Sequence, residues 1–321
     1  MIRYRQLLQN SRAFRLFSGD VARGAVSHSY LLAGSDPDAL LELVKLMAAT
    51  LACTSKEKPC LACAACRRFE ELAGGNVLVY PRTDRIKKDD VLDLLREVGY
   101  KSFEHGDKVA VLRDADRMDA NTQNKLLKTL EEPPAGVVFF LLASNAEKLL
   151  PTVRSRTRLL ELELFPREAV YAELSARLGE SEKLKTACAQ AGGRVGLAER
   201  FYEDPDFERL LAFSEELLAG LRRESDFLRF SSRYEEIKDR YELLLDLLQT
   251  GLRDGMTRGL CEPLGRGGIS LPAPPEALAE AIGYLNLCKK KIVFHCNENA
   301  AYQMLLLKLL EIFGNRREVL S

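Results

Sequence analysis

"YLLAGSDPDALLELVKLMAATLAC", residues Tyr30–Cys53, sets the architecture of the first half of this chain. A short apolar run ends at a glycine and a polar turn follows. Apolar residues then recur at the spacing of one helix face from residue 38 to residue 52. This layout predicts a buried strand, a turn and an amphipathic helix, which is the arrangement of a phosphate-binding loop.

The turn itself lacks the chemistry of such a loop. A phosphate loop needs a cradle of backbone N–H groups, a lysine for the β- and γ-phosphates and a hydroxyl group for magnesium. Here Pro37 has no N–H group, and Asp36 and Asp38 would repel phosphate. Leucines stand where the lysine and the hydroxyl would be expected. We therefore predict a degenerate loop that binds no ATP, defined by Gly34, Pro37, Leu40 and Leu41.

Four of the eight cysteines crowd together directly after the predicted helix. They are Cys53, Cys60, Cys63 and Cys66. Cysteines spaced so closely in tight turns supply the four thiolates that a tetrahedral zinc ion prefers. Disulfides are disfavoured in a reducing cytosol, and a redox pair of the thioredoxin type needs one C-x-x-C, whereas two overlap here. We predict a structural zinc site, with an iron–sulfur cluster as the alternative.

Composition restricts the class of protein. With 321 residues, 46% of them hydrophobic, the chain can bury a large core and divide into two or three domains. Lys plus Arg equals Asp plus Glu at 47 each, so the whole chain is not a basic nucleic-acid binder. No apolar run approaches the roughly 20 residues that span a bilayer. The charged N-terminus lacks the core of a signal peptide, so a cytoplasmic protein with no membrane contact is expected.

Strand and helix patterns alternate up to Pro166. Strands are predicted at 29–33, 76–80, 108–112, 136–144 and 158–164. Helices are predicted between them, including one with Asp89 and Asp90 in its first turn and another closed by Pro133 and Pro134. This alternation predicts a doubly wound α/β domain with a parallel sheet, whose functional groups lie at the C-terminal ends of the strands.

The pattern becomes helical after Pro166. Short helices are predicted within 167–203, leucine-rich helices within 207–260, a Pro/Gly-rich loop at 261–277 and closing helices from about 276 to 315. The chain is therefore predicted to divide into three domains: an α/β domain (1–165) with a cysteine knuckle at 53–66, a small helical domain (166–206) and a helical C-terminal domain (207–321).

The stretch "GDKVAVLRDADRMDANTQNKLLKTLEEPPAGVVFFLLASNAEKLLPTVRSRTRLLEL" (106–162) resembles the clamp-loader branch of the AAA+ ATPases. "LLKTLEEPP" and "LLPTVRSR", in this order behind a strand, are its specific signals. A four-cysteine knuckle after the first helix is a further trait of the bacterial members. The resemblance implies an AAA+ α/β domain, a helical lid domain and a helical collar domain that holds a ring of subunits together.

The resemblance also allows the ATP site to be checked residue by residue. At the end of the third strand, Arg113 stands at the position of the carboxylate that holds magnesium. Asp114 is retained there and is expected to act as a helix cap. In the lid domain, Gly196 stands where an ATPase of this type usually keeps an arginine for the γ-phosphate. The resemblance therefore implies that this chain does not hydrolyse ATP.

One catalytic residue of the family is retained. "VRSRT" (153–157) matches the family's Ser-Arg-Cys motif, with Thr157 in place of the cysteine. The resemblance implies that Arg156 projects to the γ-phosphate on the next subunit and stabilises the charge on the transferring phosphoryl oxygens. The alternative is that Arg156 only pairs with a carboxylate on its own surface.

Together these features imply an ATPase-inactive subunit of a bacterial clamp loader. Its implied partners are subunits of the gamma/tau and delta types in a hetero-pentamer, the sliding clamp, and primed DNA through the complex. Two other functions remain open: an active ATPase of the gamma/tau type, and a zinc-knuckle module that binds nucleic acid. The second would use the basic residues around the knuckle, namely Lys56, Lys58, Arg67 and Arg68.

Overall fold

The computed structural model describes residues 2–70, 72, 76–82, 86–99, 108–256, 271, 273–293 and 297–314. Cys261, Cys296 and most of the predicted loop at 261–277 lie outside these residues. The chain separates into two compact units. The first comprises Met1–Glu173 with Arg194–Gly196, and the second comprises Leu174–Gly193 with Leu197–Ser321.

The first unit is built on a five-stranded sheet. Its strands are β1 (Ser29–Ala33), β2 (Val77–Tyr80), β3 (Lys108–Leu112), β4 (Val137–Ala143) and β5 (Arg158–Glu161). Every pairing is parallel, in the order β2-β3-β4-β1-β5. All residues of β1, β3 and β4 are buried, as expected of strands covered on both faces. The predicted parallel α/β sheet is therefore confirmed.

β5 is shorter than the predicted segment 158–164. Among the described residues, it lies at the edge of the sheet and pairs only with β1. β1 ends at Ala33, whose carbonyl accepts the last ladder bond from the Leu162 N–H at 2.8 Å. Beyond that point β5 has no strand to pair with, and Leu164 is 47% exposed. The strand ends because its only partner turns away at Gly34.

The helices of the first unit lie before and between these strands. They are α1 (Arg5–Asn10), α2 (Arg12–Ala22), α3 (Pro37–Ala52), α4 (Ala64–Glu70), α5 (Lys88–Gly99), α6 (Ala120–Glu131) and α7 (Pro151–Arg154). Pro37 occupies the first turn of α3, where its missing N–H group has no partner to lose. Asp119 caps α6 by accepting the Thr122 N–H at 2.6 Å, and α6 ends before Pro133.

Each face of the sheet carries an apolar core. On one face, side chains of α5 and α6, such as Leu94 and Leu126, pack in a buried cluster with Leu31 and Phe139. The Tyr30 ring stacks on Phe140 at 5.7 Å between ring centroids. These layers fix the C-terminal ends of β1, β3 and β4, where the candidate site lies.

The described part of the chain after β5 is helical, as predicted. The helices are α8 (Arg167–Leu178), α9 (Glu182–Ala191), α10 (Val195–Glu203), α11 (Phe207–Gly220), α12 (Glu224–Ser231), α13 (Tyr234–Ile237), α14 (Tyr241–Met256), α15 (Pro275–Val293) and α16 (Glu298–Phe313). In the second unit α14 packs against both α11 and α15, and α16 packs against α12 and α15. The Tyr302 hydroxyl in α16 donates to the Phe230 carbonyl in α12 at 2.9 Å. Within the described part of the chain, no helix is long and apolar enough to cross a membrane.

Candidate functional site

The turn between β1 and α3 is closed around the side chain of Asp36. This carboxylate is only 6% exposed. Its Oδ1 accepts the Ala39 N–H in the first turn of α3 at 3.3 Å, and its Oδ2 accepts the Gly196 N–H at 2.7 Å. An anion at the N-terminus of α3 is what a phosphate loop would bind from outside. Here a side chain of the loop fills that position.

Of the two leucines of the degenerate loop, Leu40 is buried and Leu41 is half-buried. Leu40 is 2% exposed, and its Cδ2 lies 3.4 Å from the place that a Cβ on Gly34 would take. A cavity of about 30 Å³ remains between the start of α3 and the ends of β3 and β4, which is room for about one water molecule. Its lining residues are Pro37, Leu40, Arg113, Asp114, Leu142, Ala143 and Ser144.

The acidic residues after β3 have separate local roles. Asp114 precedes a 3₁₀ turn at Ala115–Arg117, but its side chain makes no cap bond and instead pairs with Arg117 at 3.4 Å. The expected helix cap at Asp114 is therefore wrong. Asp116 is buried, accepts the Ser144 N–H at 3.2 Å and pairs with Lys148 at 3.1 Å. It joins the end of β3 to the loop after β4.

Gly196 has no space for a side chain. A Cβ built there would lie 2.5 Å from Asp38 Cβ and 2.6 Å from Asp36 Oδ1. Both distances are shorter than real Cβ contacts, so an arginine at 196 would displace the turn. Gly196 and the degenerate loop, which the sequence places about 160 residues apart, are thus in direct contact.

Arg156 follows α7, and helix α6 holds this segment at two points. Near the start of α6, Gln123 Oε1 accepts the Leu150 N–H at 2.7 Å, and Gln123 is itself buried. At the end of α6, Glu131 Oε1 accepts the Arg156 Nε–H at 2.8 Å. Arg156 Nη1 donates to the Thr152 carbonyl at 2.9 Å, and 33% of the arginine side chain is exposed.

Arg156 therefore pairs with a carboxylate on its own surface, that of Glu131, which is the arrangement that the sequence analysis gave as the alternative to a role in trans. The pair is exposed, with 49% of the Glu131 side chain accessible, so it holds the guanidinium weakly. Thr157, at the position of the motif's cysteine, donates its hydroxyl to the Val153 carbonyl at 3.2 Å. The threonine therefore packs into the same turn and leaves the arginine on the surface.

The four clustered cysteines converge on one point. Cys53 ends α3, Cys66 lies in α4, and the turn between them carries the other two. All four Sγ atoms lie within 4.8 Å of one another. A zinc ion with Zn–S bonds of about 2.3 Å needs sulfurs about 3.8 Å apart, so a small contraction closes the set around one ion. An iron–sulfur cluster spreads its thiolates over several irons and needs wider spacing.

Hydrogen bonds prepare the thiol groups as metal ligands. The Cys63 N–H donates to Cys60 Sγ and the Cys66 N–H donates to Cys63 Sγ, each at 3.4 Å. The backbone N–H groups of Ala62 and Cys63 lower the pKa of the Cys60 thiol to about 6, whereas burial raises the pKa of the Cys66 thiol. The knuckle can hold a metal ion structurally.

The basic residues around the knuckle are exposed, but the aromatic residue beside them is not. Phe69 is 5% exposed and packs inward. A nucleic-acid surface that tolerates any sequence combines cations with accessible rings, so stacking has no support here.

Three positioning residues were not found from the sequence. Asp36 was interpreted only as a charge that repels phosphate. An aspartate followed by a proline at the start of a helix is, however, a recognisable N-cap signal. Gln123 and Glu131 lie in the quoted family segment, yet nothing in their spacing indicates that both reach the segment that carries Arg156.

The sequence comparisons match this chain to subunits of DNA polymerase III. Residues 9–166 match the family model described as "DNA polymerase III, delta subunit". DNA polymerase III subunit delta' of Bacillus subtilis (strain 168) is 30% identical over 165 residues, 51% of this chain and 50% of that protein. DNA polymerase III subunit tau of Salmonella typhimurium is 31% identical over 159 residues, 49% of this chain and 25% of that protein. The chain thus spans half or less of the length of these curated relatives.

Among solved structures, a DNA polymerase III gamma subunit-related protein from Thermotoga maritima aligns over 96% of this chain and 97% of its own. The alignment has 17% identity and a TM-score of 0.39. At that score the likeness carries no argument about function.

Proposed function

We propose that this chain is a clamp-loader subunit of the delta-prime type, since its residues 9–166 match the family model described as "DNA polymerase III, delta subunit". In this proposal the chain binds no ATP, and Arg156 completes the ATP site of a neighbouring subunit. Its partners are gamma/tau-type and delta-type subunits in a hetero-pentamer, and it acts on the sliding clamp and primed DNA through that complex.

The observation that carries the proposal is the filled anion position at the degenerate loop. Asp36 takes the N–H groups of Ala39 and Gly196, so a phosphate would have to displace a buried carboxylate. Leu40 provides no cation for the phosphate, and Gly196 has no space for one. A chain with this loop can take part in ATP hydrolysis only by acting on a site in another subunit.

Arg156 has the properties that such action requires. Its guanidinium is at the surface, and its partner Glu131 is exposed, so the pair can open at a cost of about 0–1 kcal/mol. Gln123 fixes the backbone before the arginine from a buried position. A rigid segment with a releasable side chain suits transfer of the guanidinium to a phosphate on another subunit.

The rest of the chain is assigned accordingly. The α/β domain covers 1–165, residues 166–206 form a lid domain, and residues 207–321 supply this subunit's share of the collar. Zinc bound by Cys53, Cys60, Cys63 and Cys66 would stabilise the knuckle and take no part in the chemistry.

The test is reconstitution of the loader with Arg156→Ala. The complex should assemble and bind ATP, while DNA-stimulated hydrolysis at one site falls by a factor of about 10³–10⁵. Arg154→Ala is the matched control, because Arg154 is also 33% exposed and also pairs with an exposed glutamate, Glu147. Wild-type turnover in the Arg156→Ala complex would refute the role in trans.

A gamma/tau-type ATPase is the second candidate, favoured by the tau relative. Calorimetric titration of the isolated chain with Mg-ATP separates the two. We expect no heat of binding, and micromolar affinity would establish the ATPase instead.

A further inference from the structure

Asp36 joins two helix starts that are far apart in sequence. It is the N-cap of α3, and its second oxygen binds Gly196, the second residue of α10. The two carboxylate oxygens serve different donors, Oδ1 for Ala39 and Oδ2 for Gly196. Neither bond can be given up without leaving a donor without its acceptor.

The environment suits an anion. The first N–H groups of a helix point along the axis and carry partial positive charge, so a negative group there is stabilised. Asp36 faces two such helix starts at once and is 94% shielded from solvent, since only 6% is exposed. A buried carboxylate persists when hydrogen-bond donors surround it.

Gly196 is matched to this carboxylate. Any larger residue would bring its Cβ to 2.6 Å from Asp36 Oδ1. In keeping with this close contact, Arg194–Gly196 group with the α/β unit, although the residues on either side group with the helical unit. Two sequence features that look like separate losses, an aspartate in the loop and a glycine in α10, are one structural joint.

We propose that the Asp36 carboxylate substitutes for a bound phosphate group and fastens residues 194–196 to the α/β unit with no ligand present. The joint is a permanent internal replacement for a ligand-dependent contact. It goes beyond the proposed function and holds whether or not Arg156 acts on another subunit.

Hydrogen–deuterium exchange of the full chain tests the joint. In Asp36→Asn one oxygen becomes an NH₂ group, which cannot accept a hydrogen bond. Asparagine is as good an N-cap as aspartate, so its oxygen should stay on the Ala39 N–H and the Gly196 N–H should lose its acceptor. We expect the Gly196 amide to exchange roughly tenfold faster or more, because a bond to a charged acceptor is lost. Asp38→Asn is the control, since it makes the same charge change in the same turn. Its Gly196 amide should exchange as in the wild type.

The same data contain the outcomes that would overturn the proposal. One is unchanged Gly196 exchange in Asp36→Asn, and another is an equal increase in Asp38→Asn. If the amides of β4 also exchange faster in Asp36→Asn, the variant has opened globally, and the test is then made on the wild-type chain. In the wild type without nucleotide, the Gly196 amide should be as protected from exchange as the Ala39 amide. Millimolar ATP should change the exchange of neither amide. An unprotected Gly196 amide, or protection that needs ATP, would refute the joint.

Discussion

Gln123 and Glu131 lie on the same helix and hold the same segment, but they contribute differently. Gln123 is 3% exposed and bonds to Met118, Lys148 and Leu150. Glu131 is exposed and forms an ion pair with Arg156 in water. Exposed ion pairs stabilise by about 0–1 kcal/mol, whereas loss of a buried hydrogen-bonding group leaves partners unsatisfied at about 1–3 kcal/mol.

Gln123→Ala should therefore lower the free energy of unfolding by about 1–3 kcal/mol, because the Leu150 N–H loses its acceptor. Urea titration followed by circular dichroism measures the change. Asn124→Ala is the control, since its side chain is exposed on the same helix and its effect should stay within about 0.5 kcal/mol. Equal losses in the two variants would show that Gln123 does not hold the segment.

At the level of elements, the cysteine knuckle joins the end of α3 to the start of α4 through a turn. Purified protein should contain one zinc ion per chain and show no visible absorbance from iron. Elemental analysis of the wild type and of Cys63→Ser checks this, and the variant should lose the metal. Ser55→Ala, a change within the same turn at a residue that offers no thiolate, should retain it. Stoichiometric iron would favour the cluster instead.

Binding of this metal should weaken as the pH falls. Metal ligation needs thiolates, so protons compete with the ion. The Cys60 thiol, whose pKa is about 6, is mostly a thiolate at neutral pH. The pKa of the Cys66 thiol is raised, so the metal ion must displace the proton of Cys66 in order to bind. Titration from pH 8 towards pH 5 with a zinc indicator should show increasing release. Release that increases towards high pH would contradict thiolate ligation.

Most elements were predictable because their signals are local. Short apolar runs indicated the strands, and Pro133 and Pro134 marked the end of α6. The cysteine cluster was predictable because its spacing is short. The bond from Asp36 to Gly196 crosses 160 positions, and no periodic pattern encodes such a pairing. The Asp114 cap was wrong because its backbone is left-handed, with φ of 53°, and its carboxylate turns to Arg117.

For the whole molecule, the balanced charge bears on the nucleic-acid alternative. Formal net charge is zero, and Phe69 beside the basic knuckle is buried. The isolated chain should therefore bind a fluorescent single-stranded oligonucleotide weakly, with a shallow dependence on salt, because few phosphates would be neutralised. Anisotropy titrations at two salt concentrations measure this, with a single-stranded-DNA-binding protein as positive control. Tight binding with a steep salt slope would favour the nucleic-acid module.

The contact at Gly196 also limits the order in which this sequence can change. A side chain at 196 meets Asp38 Cβ at 2.5 Å as well as the Asp36 carboxylate, so substitutions at the three positions are epistatic. A lysine at position 40 or an arginine at position 196, introduced alone, would find the anion position of the turn already occupied by the Asp36 carboxylate. Any mutational path to a phosphate-accepting loop must therefore change the turn around Asp36 and Asp38 before, or together with, position 196.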